Sequence, residues 1–473
     1  MKIYDQFYIN GQWVEPSEKK LFSVINPSNE QVCAQIAIGN QTDVDIAAKA
    51  AANAFVSYSR TSKQERIELL QSIINAYKNR YNDIADAISE EMGAPTQLAQ
   101  KGQTGSGLAH FKAALSVLEN FVFQQKQDNS LIVKEPIGVC SLITPWNWPI
   151  NQIACKVAPA LAVGCTVILK PSEIAPLSAY IFSQVMDEAG VPAGVYNMIN
   201  GDGQGVGTAL SEHPLIDMVS FTGSTRAGRL VAQNAAPTIK RVTQELGGKS
   251  ANIILPDADF DKAVAQGAKS VFSNSGQSCN APTRMLVPTE KLQQAEKIAQ
   301  EVAAKVVVGE ANNPQTTMGP VVSQVQYDKI RSLIEQGISE GAKLVCGGLE
   351  RSNCPENGFY VEPTVFSEVR NDMTIAQEEI FGPVFAILPY DSIEQAIDIA
   401  NDTPYGLAGY IQGSDQETLR DVASKIRAGN ININGNSGDI NTPFGGYKQS
   451  GNGREWGAQG FEDYLEIKAI SGL

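Results

Sequence analysis

Apolar residues recur in two registers along this chain, and the switches between them mark out its elements. Near the start, Phe7 to Asn10 and Trp13 to Glu15 read as short strands about Asn10-Gly11, a dipeptide that tolerates positive φ at both positions and so favours a tight hairpin. Helical spacing follows. Val44, Ala47, Ala48, Ala51, Ala52 and Phe55 share one face behind a Thr42 N-cap, and Ile67, Leu70, Ile73, Ile74 and Tyr77 share another behind the capping-box pair Ser62 and Glu65. Between Leu118 and Pro136 the pattern breaks into a polar run, Gln124 to Asn129, before a strand-like Leu131 to Val133. That run reads either as a surface loop or as an arm that reaches another subunit.

From Val139 to Leu255, short β-branched runs alternate with helical spacing: Val139 to Thr144, Thr166 to Lys170, Val195 to Ile199, Met218 to Phe221 and Asn252 to Leu255. A second alternation begins at Asp259, with helices over Leu292 to Val308, Tyr327 to Glu340, Ile393 to Asn401 and Leu419 to Ala428. Strands at Met285 to Val287, Val384 to Pro389 and Ile431 to Asn434 lie between them. Repeated strand-helix-strand units predict parallel sheets covered on both faces, with ligands bound beyond the carboxyl ends of the strands. The fingerprint G-x-G-x-x-G is absent, since Gly201, Gly203, Gly205 and Gly207 fall at alternate positions. F-T-G-S-T-R-A-G is better placed, because a strand ends at Phe221 and a helix begins near Thr225, where free backbone N–H groups can meet a phosphate. A plain glycine turn would read the same way.

At 473 residues the chain is too long for one core. A net charge of -14 argues against a nucleic-acid partner, which needs a concentrated basic face. The longest nearly apolar run, Val157 to Leu169, is interrupted by Pro159 and Gly164 and falls short of the roughly 20 residues that span a bilayer. No basic segment leads into an apolar one at the N-terminus, so a cytoplasmic location is expected. Seven scattered cysteines without a CxxC pair point to reduced thiols, with neither a disulfide framework nor a metal site.

One of those thiols stands apart. Cys140 and Cys165 sit in apolar runs, whereas Cys279 lies in V-F-S-N-S-G-Q-S-C-N-A-P-T-R-M, among small and turn-forming residues. A thiol so placed becomes a nucleophile once its pKa is drawn below the free value of about 8.5. On composition alone a buried structural cysteine remains the other reading.

Seven motifs in order bring in a resemblance: P-W-N-W-P (Pro145 to Pro149), K-P-S-E (Lys170 to Glu173), F-T-G-S-T (Phe221 to Thr225), E-L-G-G-K-S (Glu245 to Ser250), G-Q-S-C (Gly276 to Cys279), E-E-I-F-G-P (Glu378 to Pro383) and P-F-G-G-Y-K-x-S-G (Pro443 to Gly451). Over essentially its whole length the chain resembles the aldehyde dehydrogenase superfamily, in particular its hydrolytic, NAD(P)-dependent members. The resemblance implies an α/β fold of two Rossmann-like doubly wound domains and a small β oligomerisation arm. Residues 1–117 with 137–247 would bind NAD, 248–449 would carry the nucleophile, and 118–136 with 450–473 would form the arm and C-terminal segment.

The resemblance also implies roles. Cys279 matches the nucleophile, Asn147 the oxyanion-hole amide and Glu245 the general base that activates water against a thioester. Lys156 and Glu455 resemble a proton-relay pair. For the cofactor, Lys170 and Glu173 match positions at the adenosine ribose, where an acidic side chain accepts from a 2′-hydroxyl and repels a 2′-phosphate, so NAD is expected over NADP. Ser224 beside Gly223 resembles the pyrophosphate contact, and Glu379 with Phe381 the nicotinamide-ribose contacts. Thr144, Trp146, Ser172, Gly203, Gly207, Phe221, Thr222 and Leu246 complete the expected cofactor set. Trp148, Cys155, Ser278, Asn280 and Phe444 are expected to line the substrate pocket, fitting a medium-sized aliphatic or aromatic aldehyde.

Glu245 favours hydrolysis to a free acid over acyl transfer to coenzyme A, since members that make that transfer commonly lack it. Retention of Cys279, Asn147 and Glu245 disfavours a binding or structural role without turnover. The two histidines, His110 and His213, match no family motif, which disfavours a Cys-His protease arrangement. A homodimer or homotetramer is expected from Gln124 to Asn129 and Tyr464 to Ile470.

Overall fold

The computed structural model describes residues 2–436 and 438–472. The hairpin forms as the dipeptide requires: Phe7–Ile9 pairs antiparallel with Gln12–Val14 across Asn10 and Gly11, whose φ values are 54° and 73°. The first long helix, Gln41–Tyr58, starts earlier than expected. Asn40 caps it in place of Thr42, because Asn40 Oδ1 accepts from the Thr42 N–H at 2.8 Å while Asp43 returns a carboxylate to the Asn40 N–H at 2.9 Å. Ser62 and Glu65 close the second box, and Lys63–Asn79 follows.

Eight strands form the first sheet, in the order Gly451–Asn452, Arg241–Glu245, Met218–Thr222, Val139–Ile143, Thr166–Lys170, Tyr196–Met198, Phe7–Ile9, Gln12–Val14. The strands from Arg241–Glu245 to Tyr196–Met198 run parallel. Val139–Ile143 and Thr166–Lys170 are buried throughout because alternate residues enter cores on opposite faces. Val139, Ile143 and Ile168 pack with Ala47, Ala48 and Ala51, while Leu142, Val167 and Leu169 pack with Val157 and Leu161. From Val139–Ile143 the chain proceeds to Thr166–Lys170 on one side and later returns to Met218–Thr222 on the other. The strand order therefore reverses there, which opens a crevice between Thr144 to Trp148 and Gly223-Ser224.

One expected strand changes sheets. Ala251–Ile254 belongs to the second sheet, and Arg241–Glu245 takes the place expected for it. The sequence R-V-T-Q-E hid this strand, since all but its last residue are only half-buried. The second sheet runs Lys343–Cys346, Thr364–Ser367, Val384–Tyr390, Arg284–Pro288, Ala251–Ile254, Ala408–Gln412, Asn430–Ile433, parallel except for the first member. Leu246 to Ser250 links Arg241–Glu245 directly to Ala251–Ile254, so the carboxyl edge of one sheet meets the amino edge of the other.

The polar run is a strand rather than a loop. Gln124–Gln127 turns back through Asp128, at φ 51°, into Ser130–Pro136, which pairs along its length with Leu465–Ser471. Ile467 on that ladder is 68% exposed. Among the described residues no helix is long and apolar enough to cross a membrane.

Candidate functional site

The loop that carries Cys279 is held in a conformation side chains rarely adopt. Asn274, Ser275 and Gly276 follow one another at φ 52°, 55° and 73°. A Cβ at Gly276 would lie 1.9 Å from the carbonyl oxygen of Gly382, so only glycine fits. Left-handed backbone at the other two is costly and persists where the surroundings over-determine it. Here buried amides do so: Asn274 Nδ2 donates to the carbonyls of Asn147 at 3.0 Å and Gln277 at 3.2 Å, and its Oδ1 accepts from Gln103 at 3.1 Å. Ser275 Oγ donates to Gly319 O at 2.8 Å, and Gln277 Oε1 accepts from the Val322 N–H at 2.9 Å. Asn147 Nδ2 in turn donates to Gln277 O at 3.1 Å.

Cys279 emerges from this turn half-buried, and two cavities lie at it and at its neighbours Ser278 and Asn280. One, of about 180 Å³, is lined by Cys279 itself with Trp146, Asn147, Thr222, Gly223, Ser224, Leu246, Glu379 and Phe381. The other, of about 400 Å³, is lined by Trp148, Ser278, Asn280, Tyr410, Phe444 and Trp456, among others. Close approach of the two sheets depends on glycine: a Cβ at Gly248 would sit 2.3 Å from Cys279 O, and one at Gly247 would sit 2.6 Å from Glu379 Oε2.

The charges around the thiol are negative. Burial pushes the Cys279 pKa up, and Glu245, then Glu379 and Glu455, push it further, away from the lowered value that a nucleophilic thiol requires. The three carboxylates that converge here are those the resemblance assigned to separate roles, as base, relay member and ribose contact. Glu245 is 4% exposed, and neither of its oxygens hydrogen-bonds to a described residue. Burial first, then Glu455, hold its carboxyl well above the usual range. Lys156, fully buried, pairs with Glu455. Burial alone would lower the ammonium, and the Glu455 carboxylate overrides it.

The aldehyde dehydrogenase family model matches residues 13–470. The chain is 54% identical to a 3-succinoylsemialdehyde-pyridine dehydrogenase of a Pseudomonas species, over 100% of this chain and 99% of that one. Among solved structures it is similar to an alanine variant of aldehyde dehydrogenase C from Pseudomonas syringae in complex with NAD+ and octanal, at 51% identity and TM-score 0.98, covering 99% of this chain and 96% of that one. An aldehyde dehydrogenase from Bartonella henselae matches at 48% identity and TM-score 0.98, with 100% of both chains covered.

The chain belongs to the aldehyde dehydrogenase family.

In this aldehyde dehydrogenase the residues expected at a cofactor fall along the crevice of the first sheet. Ser224 caps the helix Thr225–Ala235, accepting from the Ala227 N–H at 3.3 Å, and Gly223 precedes it. The hydroxyls of Thr144 and Thr222, on the neighbouring strand ends, are buried without a partner among the described residues. Phe221 and Leu246 are buried side by side in one core. Phe381, at φ 60°, meets Trp146 edge-on at 5.4 Å, and Glu379 Oε1 accepts from the Gly248 N–H at 3.0 Å.

Farther along the same edge, Lys170 reaches Glu173 at 3.4 Å and donates to the carbonyls of Pro171 and Gly201. Ser172 is buried beside them. Gly203 and Gly207 bound a short helical turn capped by Asp202, and Lys170 Cε lies 4.0 Å from where a Cβ at Gly207 would be. Open backbone donors, two orphaned hydroxyls and an acidic residue on one crevice suit a dinucleotide.

One expected pocket residue lies elsewhere. Cys155 does not line the wide cavity; it is buried behind it, 3.4 Å from Glu455 Oε2, in a small separate space shared with His110 and Trp456. The helix Pro149–Val163 presents it inward, one position before Lys156. Several residues at the site escaped the sequence reading: Gln103, Asn274 and Gln277 in the amide network, Gln326 and Lys329 at the narrow cavity, Tyr410 and Trp456 at the wide one. Gln277 lay inside the G-Q-S-C motif, Asn274 in the turn-forming stretch around it, and Trp456 next to Glu455. The rest carried no such signal.

Proposed function

We propose that this protein oxidises an aldehyde to a carboxylic acid with NAD as acceptor. One observation carries the reading: Cys279 lines the cavity that fits a dinucleotide, and its chain neighbours Ser278 and Asn280 line the wider one that fits an aldehyde. The Cys279 thiolate attacks the carbonyl carbon, and the new oxyanion is stabilised by the Asn147 side-chain amide and the Cys279 N–H. Trp146, Gly223, Ser224, Glu379 and Phe381 would hold NAD in the narrower cavity, where its nicotinamide would take up the hydride and its positive ring would offset the carboxylates around the thiol. Loss of hydride leaves a thioester on Cys279. Glu245 takes a proton from water, which attacks that thioester and frees the acid and the Cys279 thiolate. A carboxyl buried without hydrogen bonds is well suited to gain and lose that proton. Lys156 and Glu455 pass it toward solvent.

Thr144, Trp146, Phe221, Thr222, Gly223, Ser224 and Leu246 form the floor under the dinucleotide, and Glu379 with Phe381 hold its nicotinamide half. Lys170, Ser172, Glu173, Gly203 and Gly207 hold the adenosine half, where the Glu173 carboxylate favours NAD over NADP. Residues 1–117 with 137–247 and residues 248–449 make the two domains. The exposed ladder of residues 130–136 and 465–471 joins subunits into a homodimer or homotetramer, in the cytoplasm. NADH formation from an aldehyde panel tests the reading: wild-type protein forms NADH and free acid without coenzyme A, and Cys279→Ala forms none. NADH formation that requires coenzyme A and yields its acyl thioester, or NADH formation by the alanine variant, would overturn it.

A further inference from the structure

The wider cavity beside Cys279 is lined, among the described residues, by no charged side chain. Resting on the function proposed above, we infer that the substrate is an uncharged aldehyde with a flat apolar body and a neutral hydrogen-bonding group, such as an amide or ketone, at its far end. The cavity selects against both anionic and cationic aldehydes.

The rings stand at the nucleophile. Trp148 Nε1 donates to Ser278 Oγ at 2.8 Å and Tyr410 OH donates to Asn280 O at 2.8 Å, so both polar tips are committed to residues flanking Cys279. What these residues offer the cavity is ring surface. Phe444 adds to it, stacked on Trp456 at 4.4 Å and 20°.

Side-chain amides make up much of the remaining wall. Gln412 Nε2 donates to Asn252 Oδ1 at 3.1 Å, which leaves the Asn252 NH2 group and the Gln412 carbonyl oxygen of that buried pair uncommitted. Asn432, half-buried, makes no side-chain hydrogen bond to a described residue. An amide offers a donor and an acceptor together, so it satisfies a neutral carbonyl or amide on the substrate. It cannot neutralise a charge, and an unpaired charge taken from water into such a wall is strongly disfavoured. The protein's overall charge of -14 would draw cations and repel anions, so a loss of both signs has its source in the cavity.

Two size-matched pairs of benzaldehydes test this, each with a methylene that insulates the aldehyde from the distal group. The pairs are para-formylphenylacetamide against para-formylphenylacetate, and para-neopentylbenzaldehyde against para-(trimethylammoniomethyl)benzaldehyde. In wild-type enzyme the neutral member of each pair is expected to have a kcat/KM at least about tenfold higher. Asn432→Lys is expected to narrow the first ratio and Asn432→Asp the second. A ratio near one in either pair, with NADH formed from both members, overturns this inference and leaves the aldehyde dehydrogenase reading standing. NADH from none of the four, nor from benzaldehyde, overturns that reading and this one with it. If the Asn432 variants do not fold, the wild-type ratios decide alone.

Discussion

The side-chain amide of Asn147 donates to the backbone carbonyl of Gln277 at 3.1 Å, two residues before Cys279. That bond uses one of the two amide hydrogens and aims the group at the loop whose cysteine it serves. It also ties the end of the first sheet to the beginning of the second domain.

Asn147→Ala removes both the tie and the free donor. Losing one oxyanion-hole donor costs on the order of 3 kcal/mol, so kcat for NADH formation should fall by about 100- to 1000-fold. Steady-state kinetics on one good aldehyde would show it, and a loss confined to KM would contradict the role.

Gly248→Ala tests the contact between the two sheets. A methyl group there would sit 2.3 Å from Cys279 O, so the backbone beneath the nucleophile must move. A displacement of about 1 Å at a reacting atom can cost on the order of 100-fold in rate. A folded variant by circular dichroism with kcat lowered on that scale is the expected outcome. Retention of full activity would mean that the loop yields without harm.

In the protein without cofactor the thiol at 279 should be slow to react. Burial and the carboxylates of Glu245, Glu379 and Glu455 all disfavour the thiolate. Alkylation of the Cys279 peptide by iodoacetamide, followed by mass spectrometry, should still be climbing at about pH 9, above the free-thiol value. Above the pH at which Glu245 ionises, Glu245→Gln removes the largest of the three carboxylate contributions and should raise the rate at fixed pH. A plateau near neutrality would contradict this electrostatic account.

Glu245 also links stability to pH. Its folded pKa is raised by burial, so between the ordinary glutamate value of about 4.3 and that raised value the native protein holds a proton that the unfolded chain has released. Its contribution to stability is complete below that window and is lost as pH rises through it. Glu245→Gln should flatten this loss, seen as a smaller drop in urea midpoint between about pH 5 and pH 9. With aldehyde and NAD the same variant should give one burst of NADH and then stall at the thioester.

How much of this was legible beforehand differs by element. Thr166–Lys170 is legible residue for residue because its β-branched run is bounded by Gly164 before it and Pro171 after it. Arg241–Glu245 was not, since its polar, half-buried side chains carry no strand pattern and its pairing is set by Met218–Thr222 beside it. The order of motifs marked Cys279, Asn147 and Glu245, but the sequence could not show Asn274, in the turn Ser273–Gly276, supporting Asn147, because that bond spans 127 positions. Cys155 was misplaced for a related reason: a position on a helix does not say which of two cavities it faces.

The buried pair Lys156 and Glu455 allows a structural role to be separated from a proton path. Glu455→Gln leaves a buried ammonium without its partner, and removing one member of such a pair typically costs about 3 to 5 kcal/mol. The single variant should therefore lose both thermal stability and kcat. Adding Lys156→Met removes the orphaned charge and replaces it with an apolar chain of similar length, so most of the lost Tm should return. If the pair conducts a proton between Glu245 and solvent, kcat stays low in the double variant, and the solvent isotope effect on acyl-enzyme breakdown rises in both. If kcat recovers along with Tm, the pair serves only to hold the helix Pro149–Val163 against the segment bearing Glu455.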